Sequence, residues 1–214
     1  FTPFFPDRQV LEAAIVPEMR HPCDEQGRLA EWWGPKGNAR HYLHVDLGLK
    51  RDACGIAMAH CEAGEEGDGE PIVVVDLMLQ LLPPEDGELE LAGIRALIVE
   101  IAARGFNLAQ VSFDGYQSAD SRQILTRKGL TVKLVSVDRD AEAYETFKGL
   151  LNEGRLRWYR YQPVLEECLG LEVVQGNKVD HRPGGTKDVS DAVAAVVKQA
   201  VDGWQRGDIR AHIV

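Results

Sequence analysis

The chain has 214 residues, of which 44% are apolar and 27% are charged, and its formal net charge is -10. This length is enough for one well-buried core but not for two full domains, and the composition excludes a fibrous or wholly disordered class. Because 34 acidic residues outnumber 24 basic ones, non-specific adhesion to a polyanion is disfavoured, and any nucleic-acid contact needs a local basic face.

The first part of the chain differs in composition from the rest. Residues 1–38 contain five prolines and a short helical pattern from Asp7 to Val16, which predicts a lead-in or linker segment before one domain at 39–214.

No apolar run is long enough to span a bilayer and no signal peptide is evident, so we expect a soluble, intracellular protein without membrane contact. A first residue other than Met is typical of a fragment of a longer polypeptide.

The next segment predicts three strands and a helix. HYLHVDLGL, ACGIAMAHCE and PIVVVDLMLQLL are apolar runs divided by KRD and by the acidic, glycine-rich AGEEGDGE, as in consecutive antiparallel strands. A helical pattern then runs from Leu89 to Arg104 and ends at Gly105.

Strands and helices alternate over the remaining chain. The predicted elements are a strand at Asn107–Asp114, a helix at Gln117–Lys128, the strand TVKLVSVD, a helix at Asp140–Glu153, the strand RLRWYRYQ, a helix at Pro163–Leu169 and a last helix at Lys187–Gln199. This order predicts an α/β fold: a mixed sheet whose first three strands are antiparallel, flanked by helices on both faces.

Asp46 is an acidic residue in the middle of the first predicted strand, inside L-H-V-D-L-G-L. Burying an isolated carboxylate is costly, so a bound cation is its natural partner. The alternative, a solvent-facing position shared with the polar His44, stays open.

Further acidic residues lie at the ends of predicted elements. Asp114 ends the strand QVSFD, where sites form in α/β sheets, although capping of the next helix would also favour Asp there. Asp188 and Asp191 stand three residues apart at the start of the last helix and share one face. Compensation of the helix dipole explains Asp188 well and Asp191 less well.

Together, Asp46, Asp114, Asp191 and Asp188 predict a catalytic metal cluster. Oxygen ligands without nearby thiols suit Mg²⁺ or Mn²⁺ rather than zinc, and the scattered cysteines form no C-x-x-C pair. Two such ions would clamp a scissile phosphate, which predicts phosphodiester hydrolysis. As direct ligand on the last helix we favour Asp191 over Asp188.

Three stretches resemble the C-terminal nuclease domain of the large terminase subunit of tailed bacteriophages, a relative of ribonuclease H and of RuvC-type resolvases. They are HVDLGLKRDACGIAMAH, VSFDGYQSADSRQILTRKG and VDHRPGGTKDVSDAVAAVV. The family's F-D-x-x-Q-S pattern matches Asp114, Gln117 and Ser118, and its K-D-x-x-D-A pattern matches Asp188 and Asp191. The resemblance covers most of residues 41–200 and implies a ribonuclease H-like fold.

The resemblance implies an endonuclease that cuts concatemeric double-stranded phage DNA with two divalent ions, in the cytoplasm of the infected bacterial host. The sequence has no G-x-x-x-x-G-K-[ST] loop, so the ATPase motor domain is expected on a missing part of the polypeptide, with the small terminase subunit and the portal as further partners. The alternatives are a RuvC-like resolvase, a ribonuclease H-like nuclease acting on hybrids, and a module that binds DNA or the portal without cutting.

Basic side chains flank the predicted cluster on both sides. We expect phosphate contacts from Lys50 and Arg51 in the first hairpin turn, and from Lys178, Arg182 and Lys187 before the last helix. The alternative, ordinary solvated loop residues, stays open for each of them. The aromatic stretch R-W-Y-R-Y at 157–161 could stack on bases, but such stretches are more often the edge of a core.

Overall fold

The computed structural model of this chain describes residues 2–24, 27–47, 53–64, 70–84, 87–115, 118–137, 141–174 and 178–211, with the side chains of 206–211 excepted. Lys50, Arg51 and Gln117, which the sequence singled out, lie outside the described residues.

Strands and helices alternate along the part of the chain that the structure describes. The strands are β1 (Thr2–Pro3), β2 (Arg40–Asp46), β3 (Cys54–Ala63), β4 (Pro71–Leu81), β5 (Asn107–Phe113), β6 (Val132–Leu134), β7 (Leu156–Arg157), β8 (Leu171–Val174) and β9 (Lys178–His181). The helices are α1 (Arg8–Ala13), α2 (Leu91–Ala103), α3 (Ala119–Arg127), α4 (Glu142–Asn152), α5 (Gln162–Gly170) and α6 (Asp188–Ala211).

The main sheet has six strands in the order β6-β5-β2-β3-β4-β7. The pairs β2/β3 and β3/β4 are antiparallel, and the pairs β2/β5, β5/β6 and β4/β7 are parallel. The predicted mixed sheet, with its first three strands antiparallel, is confirmed. Because β2 and β5 run in the same direction side by side, the residues that follow them meet at one edge of the sheet.

Helices cover both faces of this sheet. One core cluster packs α4, α5 and α6 against one face, and a second cluster packs α2 and α3 against the other. In α2, Ile94, Ile98 and Ile101 are buried at the spacing of a single helical stripe, as the sequence pattern predicts. α6 is buried more fully because it lies between β2, β3 and β4 on one side and α4 and α5 on the other.

The predicted lead-in segment packs into the same core. Phe4, Phe5 and Leu11 are buried there, and β1 pairs with β8 in a second sheet of order β1-β8-β9. The prediction did not include this small sheet. The domain boundary at residue 39 stays a prediction, but residues 2–16 contribute apolar side chains to the core.

Local signals placed the helix ends well. α2 and α3 end beside Gly105 and Gly129, whose φ angles of 94° and 88° favour glycine.

Among the helices that the structure describes, none combines the length and apolar character needed to cross a membrane.

Candidate functional site

Asp46 and Asp114 lie side by side at the carboxyl edge of the main sheet. Asp46 is the last residue of β2, and Asp114 directly follows β5, the parallel neighbour of β2. The backbone N–H of Asp114 donates to the carbonyl of Val45, with 3.1 Å between nitrogen and oxygen. The two predicted acids therefore share one end of the sheet, although about 70 residues separate them in sequence.

The start of α6 is docked against β3 next to Asp46. Gly55 pairs with Asp46 across the β2/β3 ladder. A Cβ atom on Gly55 would lie 1.9 Å from the carbonyl oxygen of Asp188, far inside van der Waals contact, so the backbones pack with no room for a side chain. This close approach brings Asp188 and Asp191 to the edge of the sheet that carries Asp46.

The charges of these aspartates reach one another. Burial, together with the negative charges of Asp191, Asp188 and Asp114, raises the pKa of Asp46 to about 8, while Lys187 opposes them. Four carboxylates from β2, the end of β5 and the start of α6 thus occupy one region, which we call the aspartate cluster. A group of carboxylates that is costly to ionise together has the donor chemistry of a site for hard cations.

Asp191 is the most buried member of the cluster, and its two oxygens are held by different groups. The Tyr144 hydroxyl on α4 donates to Oδ1 through a short hydrogen bond, and the Lys187 ammonium lies 2.6 Å from Oδ2. Burial, together with the charge of Asp191, raises the pKa of Tyr144 well above its ordinary value, so this hydroxyl stays protonated and donates. Lys187 and Tyr144 therefore fix the position of the Asp191 carboxylate.

Asp114 is held more loosely at the edge of the sheet. Its Oδ1 accepts from the backbone N–H of Gly115 at 2.6 Å, and Ser136 Oγ lies 3.4 Å from Oδ2. The alternative role of Asp114, capping of the next helix, is not what the structure shows, since the N-cap of α3 is Ser118, four residues further on.

Glu167 on α5 is a buried acid that the sequence analysis did not single out. Its Oε2 accepts from the backbone N–H of Ser190 at 2.7 Å, and its Oε1 accepts from Thr186 Oγ1 at 3.1 Å. Burial raises its pKa to about 7. Glu167 therefore holds the first turn of α6, and with it Asp188 and Asp191. The spacing could have revealed it, because Glu167 lies three residues after Val164, on the apolar stripe of α5.

The predicted DNA contacts occupy different environments. Lys187 pairs with Asp191 inside the cluster, and Arg182 Nε pairs with the buried Glu172 at 2.6 Å while about half of the Arg182 side chain stays exposed. Lys178 begins β9. Trp158 and Tyr159 are buried in the core, so this part of the aromatic stretch is a core element and not a stacking surface.

His44 belongs to the framework behind the cluster. It is fully buried beside α6, its Nδ1 lies 2.8 Å from Ser112 Oγ, and that hydroxyl donates to Gln199 Oε1 at 3.0 Å. Burial lowers the pKa of His44 to about 3, so the ring is neutral at physiological pH. This network ties β2 and β5 to α6.

No protein-family model and no curated protein matches the chain. Among solved structures, the large terminase of bacteriophage HK97 matches with a TM-score of 0.66 and 17% identity, over 93% of this chain and 44% of that protein. The large terminase nuclease of thermophilic phage G20c matches with a TM-score of 0.65 and 12% identity, over 93% of this chain and 99% of that one. The same G20c nuclease with bound magnesium matches with a TM-score of 0.62 and 14% identity.

The chain thus spans less than half of the HK97 terminase but nearly the whole of the G20c nuclease. At these identities the comparison bears on the fold, and it confirms the predicted resemblance at that level. The chain has the ribonuclease H-like fold of large terminase nuclease domains.

Proposed function

We propose that this chain is the endonuclease domain of a phage DNA-packaging terminase, which hydrolyses phosphodiesters of double-stranded DNA with two Mg²⁺ or Mn²⁺ ions. The observation that carries the proposal is the aspartate cluster, in which the charges of Asp114, after β5, and of Asp188 and Asp191, on α6, all act on Asp46. The terminase nuclease fold supports it, and so do the G20c nuclease structures with bound magnesium and with bound cobalt.

Asp46, Asp114, Asp191 and Asp188 are the proposed cation ligands. Bound divalent cations would supply Lewis-acid activation of the phosphate and of a water nucleophile. Asp46 ends β2 beside Asp114 and is paired with Gly55, against which the start of α6 packs, so it would hold a cation together with the acids of both neighbouring elements. Tyr144 and Lys187 orient Asp191, and Glu167 holds the helix turn that carries Asp188 and Asp191.

Binding of DNA is proposed for the basic residues that the sequence pattern indicates, namely Lys50, Arg51, Lys178, Arg182 and Lys187. Because the chain carries a net charge of -10, we expect the isolated domain to hold DNA weakly and with a steep dependence on salt. Tight binding would then depend on the proposed partners: an ATPase motor domain, a small terminase subunit and a portal, acting in the host cytoplasm.

A plasmid-nicking assay tests the proposal. We expect supercoiled plasmid to be nicked with Mg²⁺ or Mn²⁺, and Ca²⁺ to bind but support little cutting. Asp46→Asn and Asp114→Asn should each reduce nicking by at least about a hundredfold while the circular dichroism spectrum stays unchanged. Asp120→Asn is the matched control, because Asp120 is 70% exposed on α3, where it pairs with Arg95.

Activity that is equal in wild type and in both cluster variants would defeat the proposal. A substrate panel separates it from the alternatives, since preferential cutting of a four-way junction or of an RNA–DNA hybrid would indicate a resolvase or a ribonuclease H-like enzyme. DNA binding without any cutting under all three cations would indicate a module that only binds.

A further inference from the structure

Two histidines and an aspartate meet on the main sheet, away from the aspartate cluster. His41 on β2, His60 on β3 and Asp76 on β4 each offer a ligand atom, and these three atoms lie within 4.8 Å of one another. We call this group the histidine triad. His41 contacts Phe106 in the core beneath α2, whereas Asp46 faces the start of α6. His41 and Asp46 are five strand residues apart, or about 17 Å, so the two groups are separate.

A β-bulge brings Asp76 to the histidines. Met58 pairs with Leu77 and Ala59 pairs with Val75, so the register shift leaves Asp76 as the extra residue of β4. A bulge turns a side chain out of the regular alternation, and bulges are common beside functional sites. Asp76 is also the one charged residue of β4, a strand whose other residues are almost all apolar, and strand pairing alone does not explain it.

The three side chains are held in positions suitable for ligands. Asp76 Oδ2 lies 2.7 Å from His60 Nδ1 and 3.7 Å from His41 Nε2. On the far side of the rings, His41 Nδ1 donates to the carbonyl of Ala39 at 2.9 Å, and His60 Nε2 lies 3.4 Å from Glu62 Oε1. Metal-bound histidines have this arrangement, in which a carbonyl or carboxylate holds the outer nitrogen and the inner nitrogen faces the ion.

The triad also has access to solvent and room for a further ligand. It lines a cavity of about 320 Å³ together with Trp33, Arg157 and Tyr159. His41 and Asp76 are 4% and 16% exposed at their side chains, so the donor atoms lie at the buried end of this cavity. The cavity therefore has room for a water molecule or a small anion beside the triad.

We propose that His41, His60 and Asp76 form a second metal site, which binds one transition-metal cation such as Zn²⁺. Two imidazole nitrogens, one carboxylate and an open position are a recurrent donor set for zinc and related metals, whereas Mg²⁺ prefers oxygen ligands. Bonds of about 2.0–2.2 Å place tetrahedral donors about 3.4 Å apart, so His60 and Asp76 separate slightly and His41 moves closer.

Metal titration of the untagged 214-residue chain tests this proposal. After removal of metals with a chelator, Zn²⁺ uptake is followed by calorimetry, and Co²⁺ uptake by its visible absorption. We expect one tightly bound equivalent in wild type, which excess Mg²⁺ does not displace. At a hundredfold excess over the dissociation constant, Zn²⁺ should raise Tm by about 5–10 °C.

Variants separate this site from the aspartate cluster and from other histidines. His60→Gln and Asp76→Asn should each weaken Zn²⁺ binding by at least about tenfold. Asp46→Asn should leave Zn²⁺ binding unchanged, which also makes the test independent of the proposed nuclease activity. His181→Gln is the matched control, because His181 lies on β9 in the other sheet.

Two results would overturn the proposal: no tight Zn²⁺ uptake by wild type, or uptake that persists undiminished in folded His60→Gln and Asp76→Asn. Should these variants fail to fold, X-ray absorption of the wild-type Co²⁺ complex decides. Two imidazole nitrogens in the coordination shell support the site, and a shell of oxygens alone contradicts it.

Discussion

The two ends of β2 carry groups of opposite electrostatic character. At the Asp46 end, the charges of three further carboxylates act on Asp46, and among the described residues Lys187 is the cation that opposes them there. At the His41 end, one carboxylate lies between two imidazoles, and its charge is stabilised by a hydrogen bond with His60. The aspartate cluster needs external positive charge before all of its carboxylates can ionise. In the histidine triad, the charge of Asp76 is already stabilised by His60. A group of carboxylates alone is therefore typical of a site for hard cations such as Mg²⁺. Two imidazoles with one carboxylate are typical of a site for softer cations such as Zn²⁺.

α6 accounts for the position of the first group. Its start contacts β3 at Gly55, and its later turns contact β2, where a Cβ on Gly203 would lie 1.8 Å from the Tyr42 hydroxyl. The contact at Gly55 fixes the first turn of α6, which carries Asp188 and Asp191, whereas the contact at Gly203 lies about 18 Å beyond Asp191 along the helix and involves a side chain of the sheet. The histidine triad needs no helix, because all three members are on adjacent strands.

The largest expected effect comes from Gly55→Ala. The added methyl group overlaps the Asp188 carbonyl, so the start of α6 must move away from Asp46. A displacement of about 1 Å at a catalytic group costs about a hundredfold in rate, and we expect nicking to fall by at least that factor. Zn²⁺ binding at the histidine triad should persist in this variant. The measurements are plasmid nicking and zinc titration on the same preparation.

Two further alanine variants control for stability. Gly203→Ala introduces a clash of similar size far from the aspartate cluster, so it should lower Tm but leave the nicking rate of the folded protein intact. Gly149→Ala in α4 meets nothing within 4 Å and should stabilise the protein by about 0.5–1 kcal/mol. If Gly55→Ala and Gly203→Ala reduced nicking equally, the link between helix seating and the cluster would be wrong.

Tyr144→Phe tests the support of Asp191 with a smaller change. The variant keeps the buried ring but removes the hydroxyl that donates to Asp191 Oδ1. Loss of such an outer contact typically costs about tenfold or more in metal affinity or activity. We expect a higher Mg²⁺ concentration at half-maximal nicking, with partial rescue at saturating Mg²⁺. A nicking curve that coincides with wild type at every Mg²⁺ concentration would show that Tyr144 does not position this ligand.

The sequence predicted the main sheet because its elements carry strong local signals. Apolar runs separated by polar turns marked β2, β3 and β4, and glycines marked the ends of α2 and α3. The small sheet escaped prediction because its strands have two to four residues and Val173 and Val174 are each 38% exposed. Strands this short carry too few alternating positions to be distinguished from loops.

A site residue could be predicted from the sequence only where that residue by itself conflicts with its local sequence surroundings. Asp46 stands out because a charge interrupts an apolar strand, and the order of Asp114 and Asp191 along the chain suggested a cluster. The histidine triad could not be found in this way, because His41, His60 and Asp76 meet only through strand register and the bulge at Asp76. Register across strands is a tertiary property that local spacing does not encode.

The smallest expected effect concerns Glu167, a buried carboxylate held by hydrogen bonds and not by cations. Its pKa rises from 4.5 to about 7 on folding, so the folded protein binds more protons than the unfolded chain between these pH values. The stability it contributes is therefore fully present below pH 4.5 and is lost as pH rises through 7. The loss amounts to about 3 kcal/mol. Glu167→Gln keeps an acceptor for the Ser190 N–H but has no charge to titrate.

The comparison is made by urea unfolding in chelator at several pH values from 4.5 to 8. The free energy of unfolding of wild type, minus that of Glu167→Gln, should fall by about 3 kcal/mol across this range, because the variant lacks the titrating group. A difference that stays constant with pH would mean that Glu167 keeps an ordinary pKa in the folded protein. In that case its hydrogen bonds with Ser190 and Thr186 would offset its burial.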